Sequence, residues 1–277
     1  MEKTIKFAIQ FEKLSDIESI EKKLKEADFK YIWGFTGSLG LFKEKERNKY
    51  IKFLKENNLI IEQVHSLFNS EYDLSHLEDS KRDIFIEGVK KEIEKLKELD
   101  VRNYVIHCSG LVEGDRKERI KNFMDSLERI LLVAEKVKMK IAIENIAFKQ
   151  KVIGTAEEIN KIINAFNSEY LGVCFDTGHA NLSENPKKEF HLLKDKIFTF
   201  HIHDNDGMRD LHLPPPFGTF DWKWFIKNLK DIKQNILPLE CIIPDQLGLK
   251  KTLKICDDLF NKGKKEFKIG NRIIKIL

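Results

Sequence analysis

The segment 198-FTFHIHDNDGMRDLHLPPPFGTFDW-222 joins an apolar, strand-like run to a dense set of imidazole and carboxylate side chains. Three of the eight histidines in the chain lie between positions 201 and 212. Buried polar groups cost free energy unless they find partners. So many of them at the end of one strand indicate a polar site, and its other members must come from elsewhere in the chain.

Seven further runs of branched and aromatic residues have the same strand character, and each is followed by a stretch with helical periodicity. The runs are 4-TIKFAIQF-11, 30-KYIWGFT-36, 59-LIIEQVHSLF-68, 103-NYVIHCS-109, 140-KIAIENI-146, 171-LGVCFDT-177 and 237-LPLECI-242. The clearest helical stretches are 81–99 and 117–137, and Thr155 with Glu158 predicts a capping box at the start of another helix. This alternation predicts one α/β domain over residues 1–277, either a (β/α)₈ barrel or an open doubly wound sheet.

The positions of the polar residues favour the barrel. In a barrel the carboxyl ends of all strands converge on one mouth, whereas an open sheet spreads them along an edge. Candidate ligands lie at the predicted ends of six strands or in the loops that follow: His65, His107, Glu144, Asp176, His179, His201, Asp210, His212 and Glu240. Imidazole and carboxylate together suit Zn²⁺, Mn²⁺ or Fe²⁺, and nine ligands exceed what one ion uses. The pattern therefore predicts a metal site at the barrel mouth.

Each of these positions also has an ordinary explanation when taken alone. A strand-end histidine is often a satisfied polar residue, Asp176 could cap a turn, and Glu240 could pair with a lysine. Independent accidents would not select the same end of six strands, which is why the metal interpretation is preferred. Of the remaining histidines, His76 and His191 are expected at the surface. His203 shares a strand face with His201, and both a packing role and a role beside the ligands stay open for it.

Composition narrows the class of protein. The formal net charge is +4, with acidic and basic residues mixed along the chain and no basic stripe of the kind that binds nucleic acid. The four cysteines are scattered without disulfide or metal-ligand spacing, which favours a reducing cytoplasm. Neither a signal peptide nor eighteen consecutive apolar residues is found, so no membrane association is expected.

Several segments resemble the xylose isomerase-like TIM-barrel superfamily, which includes sugar isomerases and epimerases and the endonuclease IV type of DNA-repair enzyme. They are 65-HSLFN-69, 107-HCSG-110, 141-IAIEN-145, 171-LGVCFDTGHA-180, 201-HIHDN-205 with 210-DLH-212, and 238-PLEC-241. The resemblance implies that the sugar-transforming quartet is Glu144, Asp176, His201 and Glu240. The endonuclease IV pattern adds His65, His107, His179, Asp210 and His212 to form a three-zinc site, and all nine positions are filled.

The loops depart from the endonuclease IV pattern in 4-TIKFAIQFEKL-14, 65-HSLF-68 and 144-ENIAFKQKVIG-154. The resemblance therefore implies two competing reactions. One is a metal-dependent isomerisation or epimerisation of a sugar or sugar phosphate, with Glu144 and Glu240 as base and acid. The other is zinc-dependent phosphodiester hydrolysis at abasic sites in DNA. The ligand count favours the second, and the loops and modest net charge favour the first, which we adopt as the expectation. A purely metal-binding barrel is a third possibility. The expected cofactor is Zn²⁺ or Mn²⁺, and the nine converging ligands predict two or three ions per chain.

Overall fold

The computed structural model describes residues 3–12, 14, 16–35, 44–110, 114–146, 153–269 and 272–276. Thr36 and most of the 144–154 loop thus lie outside the described residues. Strands and helices alternate along the chain as predicted. The barrel strands are β1 (Lys6–Phe11), β2 (Tyr31–Phe35), β3 (Ile60–His65), β4 (Asn103–Ile106), β5 (Lys140–Glu144), β6 (Leu171–Asp176), β7 (Ile197–His201) and β8 (Ile236–Leu239). The helices are α1 (Ile17–Glu26), α2 (Glu44–Glu56), α3 (Asp79–Leu96), α4 (Arg116–Val137), α5 (Ala156–Phe166), α6 (Thr177–Asn181), α7 (Pro186–Leu193), α8 (Trp222–Leu229) and α9 (Gly248–Phe260).

The eight strands form one parallel sheet in the order β7-β6-β5-β4-β3-β2-β1-β8. The two ends of this sheet meet through a parallel bridge between Ile202 and Leu239. The Ile202 amide donates to the Pro238 carbonyl at 2.8 Å, and the Glu240 amide donates to the Ile202 carbonyl at 3.1 Å. An open sheet would leave β7 and β8 as unpaired edges. The predicted (β/α)₈ TIM barrel, a single domain, is therefore confirmed.

Side chains alternate between the two faces of the barrel strands, and both faces are buried. The outward residues join the helices in one large apolar core that includes Ile61, Val64 and Ile143. Two small clusters lie inside the barrel and include Trp33 and Ala142. A polar pair also lies within the strands, since the buried Thr199 hydroxyl donates to Gln63 Oε1 at 2.7 Å.

Several predicted strands extended too far. The third, fourth and eighth were expected to reach residues 68, 109 and 242, but the ladder stops at His65, Ile106 and Leu239. Hydrophobic residues beyond these points, such as Phe68 and Ile242, line a pocket instead of continuing the sheet. Sequence pattern alone does not separate these two kinds of apolar environment. The tail segment forms an antiparallel hairpin of β9 (Glu266–Ile269) and β10 (Arg272–Lys275) outside the barrel.

The sequence predicted the helix cap at Thr155 and the exposure of His191 correctly, but not the environment of His76. The capping box is present, since the Thr155 hydroxyl accepts from the Glu158 amide and the Glu158 carboxylate accepts from the Thr155 amide. His191 is exposed on α7, as predicted. The prediction for His76 was wrong: this residue is buried in the β3–α3 loop, where its carbonyl accepts from Arg82 and its ring accepts from the Glu78 amide. Among the described helices, none combines the length and apolarity needed to cross a bilayer.

Candidate metal centre

The carboxyl ends of the strands deliver the predicted side chains to one place. His65, Glu144, Asp176 and His201 are the last residues of β3, β5, β6 and β7. His107 and Glu240 follow β4 and β8 directly, and the set is completed by His179 on α6 and by Asp210 and His212 in the loop after β7. All nine predicted residues thus meet at the mouth of the barrel.

Glu144 lies at the centre of the group and is 2% exposed. Its Oε2 is 3.0 Å from His65 Nε2, 3.1 Å from His107 Nε2 and 3.2 Å from His201 Nδ1. Its Oε1 is 3.1 Å from His179 Nδ1. Burial alone would raise the pKa of Glu144, but positive charge on His201 and His107 holds it well below its usual value. One ionised carboxylate therefore links four imidazoles.

The quartet implied by the sugar-transforming pattern forms a compact set. Glu144, Asp176, His201 and Glu240 each offer a ligand atom, and these atoms lie within 4.8 Å of one another. His201 Nδ1 is 3.0 Å from Glu240 Oε2 and 3.7 Å from Asp176 Oδ2. The His201 ring stacks on the buried Trp33 indole, with centroids 4.8 Å apart, which fixes its plane.

The residues of the quartet are suited to hold a metal ion. His201 Nδ1 and Glu240 Oε2 are buried and close together, yet within the described residues neither has a partner in hydrogen-bonding geometry. A buried polar atom without a partner costs about 1–3 kcal/mol. A divalent cation between them would satisfy both atoms, and imidazole with carboxylate is a donor set that such ions accept. The residues present therefore fit the cofactor that the sequence predicts.

A second group of ligands is carried by the loop after β7. Asp210 Oδ2 is 3.4 Å from His179 Nε2 and 3.3 Å from His212 Nε2. Paired backbone hydrogen bonds between Asp204 and Leu213, of 2.7 and 2.8 Å, fold this loop back on itself and return His212 to the mouth. The Asp204 carboxylate holds the rest of the loop by accepting from the Gly218 and Phe220 amides and the Trp222 indole. The crowding between positions 201 and 212 thus has a structural cause.

Electrostatics keep the carboxylates of the centre ionised. Burial opposes ionisation of Asp176, but the charge of His179 and the contact with His203 lower its pKa to about 2. Burial likewise opposes protonation of His212, whereas its contacts with Asp210 and the charge of Glu240 raise its pKa to about 9. Opposite charges in close contact stabilise each other in this way. Ionised carboxylates and the charged His212 imidazole therefore lie close together in the site.

Two buried residues outside the nine, Asn145 and His203, contact the site more closely than the sequence indicated. Asn145 supports Asp176 on both sides, since its Oδ1 accepts from the Asp176 amide at 2.7 Å and its Nδ2 donates to the Asp176 carbonyl at 3.1 Å. His203 is fully buried, lies 3.1 Å from Asp176 Oδ2 through Nε2, and stacks on His212 with centroids 4.1 Å apart. The available signal was adjacency, because Asn145 follows Glu144 and His203 lies two residues after His201. Asp176 also caps α6 by accepting from the His179 amide, the ordinary role considered for it.

The centre opens into two adjoining cavities. The first, of about 120 Å³, is lined by ligand residues together with Phe68, Ser109, Gly110 and Ile146. The second, of about 1160 Å³, extends over β1 and β8 and shares Phe68, His212 and Glu240 with the first. A small molecule entering the larger cavity would reach Glu240 before the deeper ligands.

The family described as xylose isomerase-like TIM barrel matches residues 22–259 of this chain. An uncharacterised protein of Methanocaldococcus jannaschii is 30% identical over 191 residues, which are 66% of this chain and 65% of that protein. A probable endonuclease 4 of Thermoplasma volcanium is 29% identical over 181 residues, or 61% of this chain and 60% of that protein. The matched segments therefore span slightly less than two thirds of either relative.

Sugar epimerases are among the solved structures that share this fold. A D-tagatose 3-epimerase-like protein superposes with a TM-score of 0.78 at 24% identity, covering 94% of this chain and 99% of its own. D-psicose 3-epimerase from Clostridium cellulolyticum H10, solved with D-tagatose, superposes with a TM-score of 0.75 at 17% identity, covering 91% and 90%. At these identities the likeness establishes the fold alone.

Proposed function

The chain belongs to the xylose isomerase-like TIM-barrel family, and from that premise we propose that it is a divalent-metal-dependent isomerase or epimerase acting on a sugar or sugar phosphate. The observation that carries this proposal is the pair of carboxylates that contact one imidazole nitrogen. His201 Nδ1 lies 3.2 Å from Glu144 Oε2 and 3.0 Å from Glu240 Oε2. Such a pair suits a reaction that removes a proton from carbon and returns one.

Glu144 and Glu240 divide the acid–base work in this proposal. A bound Zn²⁺ or Mn²⁺ would coordinate neighbouring sugar oxygens and increase the acidity of the C–H bond on the adjoining carbon. Glu144 would act as the base, because its carboxylate lies at the centre of the ligand group and is ionised at neutral pH. Glu240 borders both cavities, so its carboxyl group is placed to contact a substrate bound there and would act as the acid.

The pocket supports a small polar substrate. Phe68 is 39% exposed and lies against the His107 ring, with centroids 3.9 Å apart, so it presents an apolar wall beside the ligands. Sites for small molecules commonly combine such walls with a few convergent polar groups.

The four unpaired cysteines suit a reducing cytoplasm, where we place the protein.

Zinc-dependent cleavage of DNA at abasic sites is the second candidate. Two observations favour it: all nine ligand positions of the endonuclease IV pattern are filled, and several relatives are named probable endonuclease 4. The net charge of +4 and the three loop departures weigh against it, because binding DNA requires the neutralisation of many phosphates. Sugar chemistry therefore remains the preferred proposal.

A two-armed experiment tests the choice. Metal-stripped protein reloaded with Mn²⁺ or Zn²⁺ is incubated in D₂O with ketopentoses, ketohexoses and their phosphates, and deuterium entry at carbon is followed by NMR. The same preparations are incubated with a duplex oligonucleotide containing one abasic site. We expect metal-dependent exchange in the first arm and no incision in the second. Incision at physiological salt without any sugar exchange would replace this proposal with the second candidate.

A further inference from the structure

His201 differs from other histidines of the centre in how its ring is held. His65, His179 and His212 each donate a ring N–H to a backbone carbonyl, at 2.6, 2.9 and 2.8 Å. Bonds of this kind usually orient the ring of a metal-binding histidine. Within the described residues, neither ring nitrogen of His201 has a partner in hydrogen-bonding geometry. The Cys174 sulfur lies within 4.8 Å of one of them, but a thiol is too weak a hydrogen-bonding group to fix the ring by itself.

The indole of Trp33 lies against the His201 ring. The two rings are stacked, with centroids 4.8 Å apart and an interplanar angle of 25°. The His65 ring is stacked on His201 as well, at 5.5 Å and 23°. Both Trp33 and His201 are fully buried, so neither ring can turn without displacing closely packed neighbours. Ring packing thus takes the place of the hydrogen bond that orients the other histidines.

Trp33 also contacts the chain beside a second ligand. Its Nε1 donates to the Leu239 carbonyl at 3.0 Å, and Glu240 follows Leu239 directly. The ladder between β1 and β8 ends at the pair Ile9 and Leu239, and the bridge that closes the barrel joins Leu239 to Ile202. The indole N–H therefore holds the backbone where the barrel closes and where Glu240 leaves the sheet.

The interior of the barrel keeps the indole in one place. Trp33 lies on β2, and the strand order β2-β1-β8 means that its side chain crosses β1 to reach Leu239. It packs there with Ala8, Tyr31 and Ile236, and Ala8 on β1 presents only a methyl group to it. A side chain enclosed in this way keeps a single orientation.

We propose that Trp33 is a positioning residue of the metal centre, which holds His201 through its ring face and Glu240 through the Leu239 carbonyl. His201 Nδ1 and Glu240 Oε2 lie 3.0 Å apart, a separation at which both can bind one ion. An indole is no metal ligand, so Trp33 acts only through these two residues. The inference rests on the metal centre of the proposed function, but it does not depend on the reaction that the centre catalyses.

A Co²⁺ titration of metal-stripped protein, followed through the visible spectrum of bound cobalt and by elemental analysis, tests this role. Trp33→Leu removes both the stacked ring and the N–H, whereas Trp33→Phe removes the N–H and keeps a ring. Phe123→Leu is the matched control, because it removes a fully buried ring of α4 from the large apolar core outside the barrel. We expect Co²⁺ to bind about tenfold or more weaker to Trp33→Leu, with a smaller loss in Trp33→Phe and wild-type affinity in Phe123→Leu.

Wild-type affinity and an unchanged cobalt spectrum in Trp33→Leu would overturn the proposal, and so would an equal loss of affinity in Phe123→Leu. If Trp33→Leu does not fold, tryptophan fluorescence decides: Zn²⁺ should change the emission of wild type and of Trp224→Phe, and a response of equal size in Trp33→Phe refutes the contact. Metal binding that depends on Trp33 without any sugar exchange would contradict the proposed reaction and leave this result intact. Sugar exchange with Co²⁺ binding that is indifferent to Trp33 would do the reverse.

Discussion

Glu240 combines two properties that make its charge important, since it contacts His201 and also faces both cavities. Glu240→Gln removes a negative ligand and a proton carrier while keeping the size of the side chain. We expect the rate of sugar–carbon exchange to fall by about a hundredfold or more, together with weaker metal binding. Glu128→Gln on α4 is the matched control, because Glu128 is exposed and lines neither cavity. Equal activity in the two variants would exclude Glu240 from the reaction.

Gly178 is a second single residue on which the site depends, because the absence of a side chain there leaves space for the His203 ring. Gly178→Ala would force a Cβ to within 1.9 Å of that ring. Overpacking of this kind costs about 1–3 kcal/mol of unfolding free energy, and displacement of His203 should also disturb Asp176. Gly88→Ala on α3 is the control, because nothing lies within 4 Å of its Cβ position, and it should stabilise by up to about 1 kcal/mol. Urea denaturation measures both, and a harmless Gly178→Ala would show that the ring can move freely.

At the scale of one element, α5 depends on its amino-terminal cap. The Thr155 hydroxyl accepts from the Glu158 amide at 3.3 Å, and Glu158 Oε2 accepts from the Gly154 and Thr155 amides at 3.1 Å each. Thr155→Ala should therefore lower the unfolding free energy by about 1 kcal/mol. Thr155→Ser retains the hydroxyl and should remain near wild type. Chemical denaturation compares the three proteins, and similar losses for Ala and Ser would assign the effect to the lost methyl group instead.

For the whole molecule, Glu62 links stability to pH. This residue is fully buried, and its Oε1 accepts from Gln234 at 2.7 Å and from Asn103 at 3.2 Å. Burial raises the pKa of Glu62 from 4.5 to about 7, against the opposing charge of Arg102. The folded state thus binds the proton more tightly than the unfolded state. Its contribution to stability is complete below pH 4.5 and is lost as pH rises to about 7.

Glu62→Gln removes this titration. Relative to wild type, the variant should gain up to about 3 kcal/mol of unfolding free energy between pH 4.5 and pH 8. Urea unfolding at several pH values provides the measurement, and Glu26→Gln serves as a surface control with the same change of charge. A constant difference between Glu62→Gln and wild type across this range would mean that Glu62 ionises normally in the folded barrel.

Metal binding should stabilise the whole barrel, because the ligands come from six strands that unfolding separates. An ion at a concentration one hundred times its dissociation constant adds about 2.7 kcal/mol to the unfolding free energy. For a chain of 277 residues that corresponds to a rise in Tm of roughly 5 °C. Calorimetry with EDTA and with Zn²⁺ measures the shift, and Asp176→Asn should reduce it. Identical melting with and without metal would remove the basis of the proposed centre.

Sequence alone was sufficient for the order of the elements and for the identity of the clustered residues. Branched runs such as 140-KIAIENI-146 can bury both faces only in a parallel sheet covered by helices, so the alternation itself indicates the architecture. Polar side chains at the ends of parallel strands must converge when the sheet closes. The joint occurrence of His65, Glu144 and Glu240 at strand ends is therefore enough to predict that they meet at the mouth of the barrel.

Tertiary structure decided where the strands end and how each ligand is oriented. Phe68 and Ile242 resemble strand residues because they are apolar, and only the closed barrel shows that they line a pocket. His203 could equally have been a packing residue, since period-two alternation specifies a face and not a partner. Its hydrogen bond to Asp176 depends on a strand and a loop that are 27 residues apart in sequence. Local patterns specify elements, whereas the distances and directions that chemistry requires arise only when barrel closure brings distant residues together.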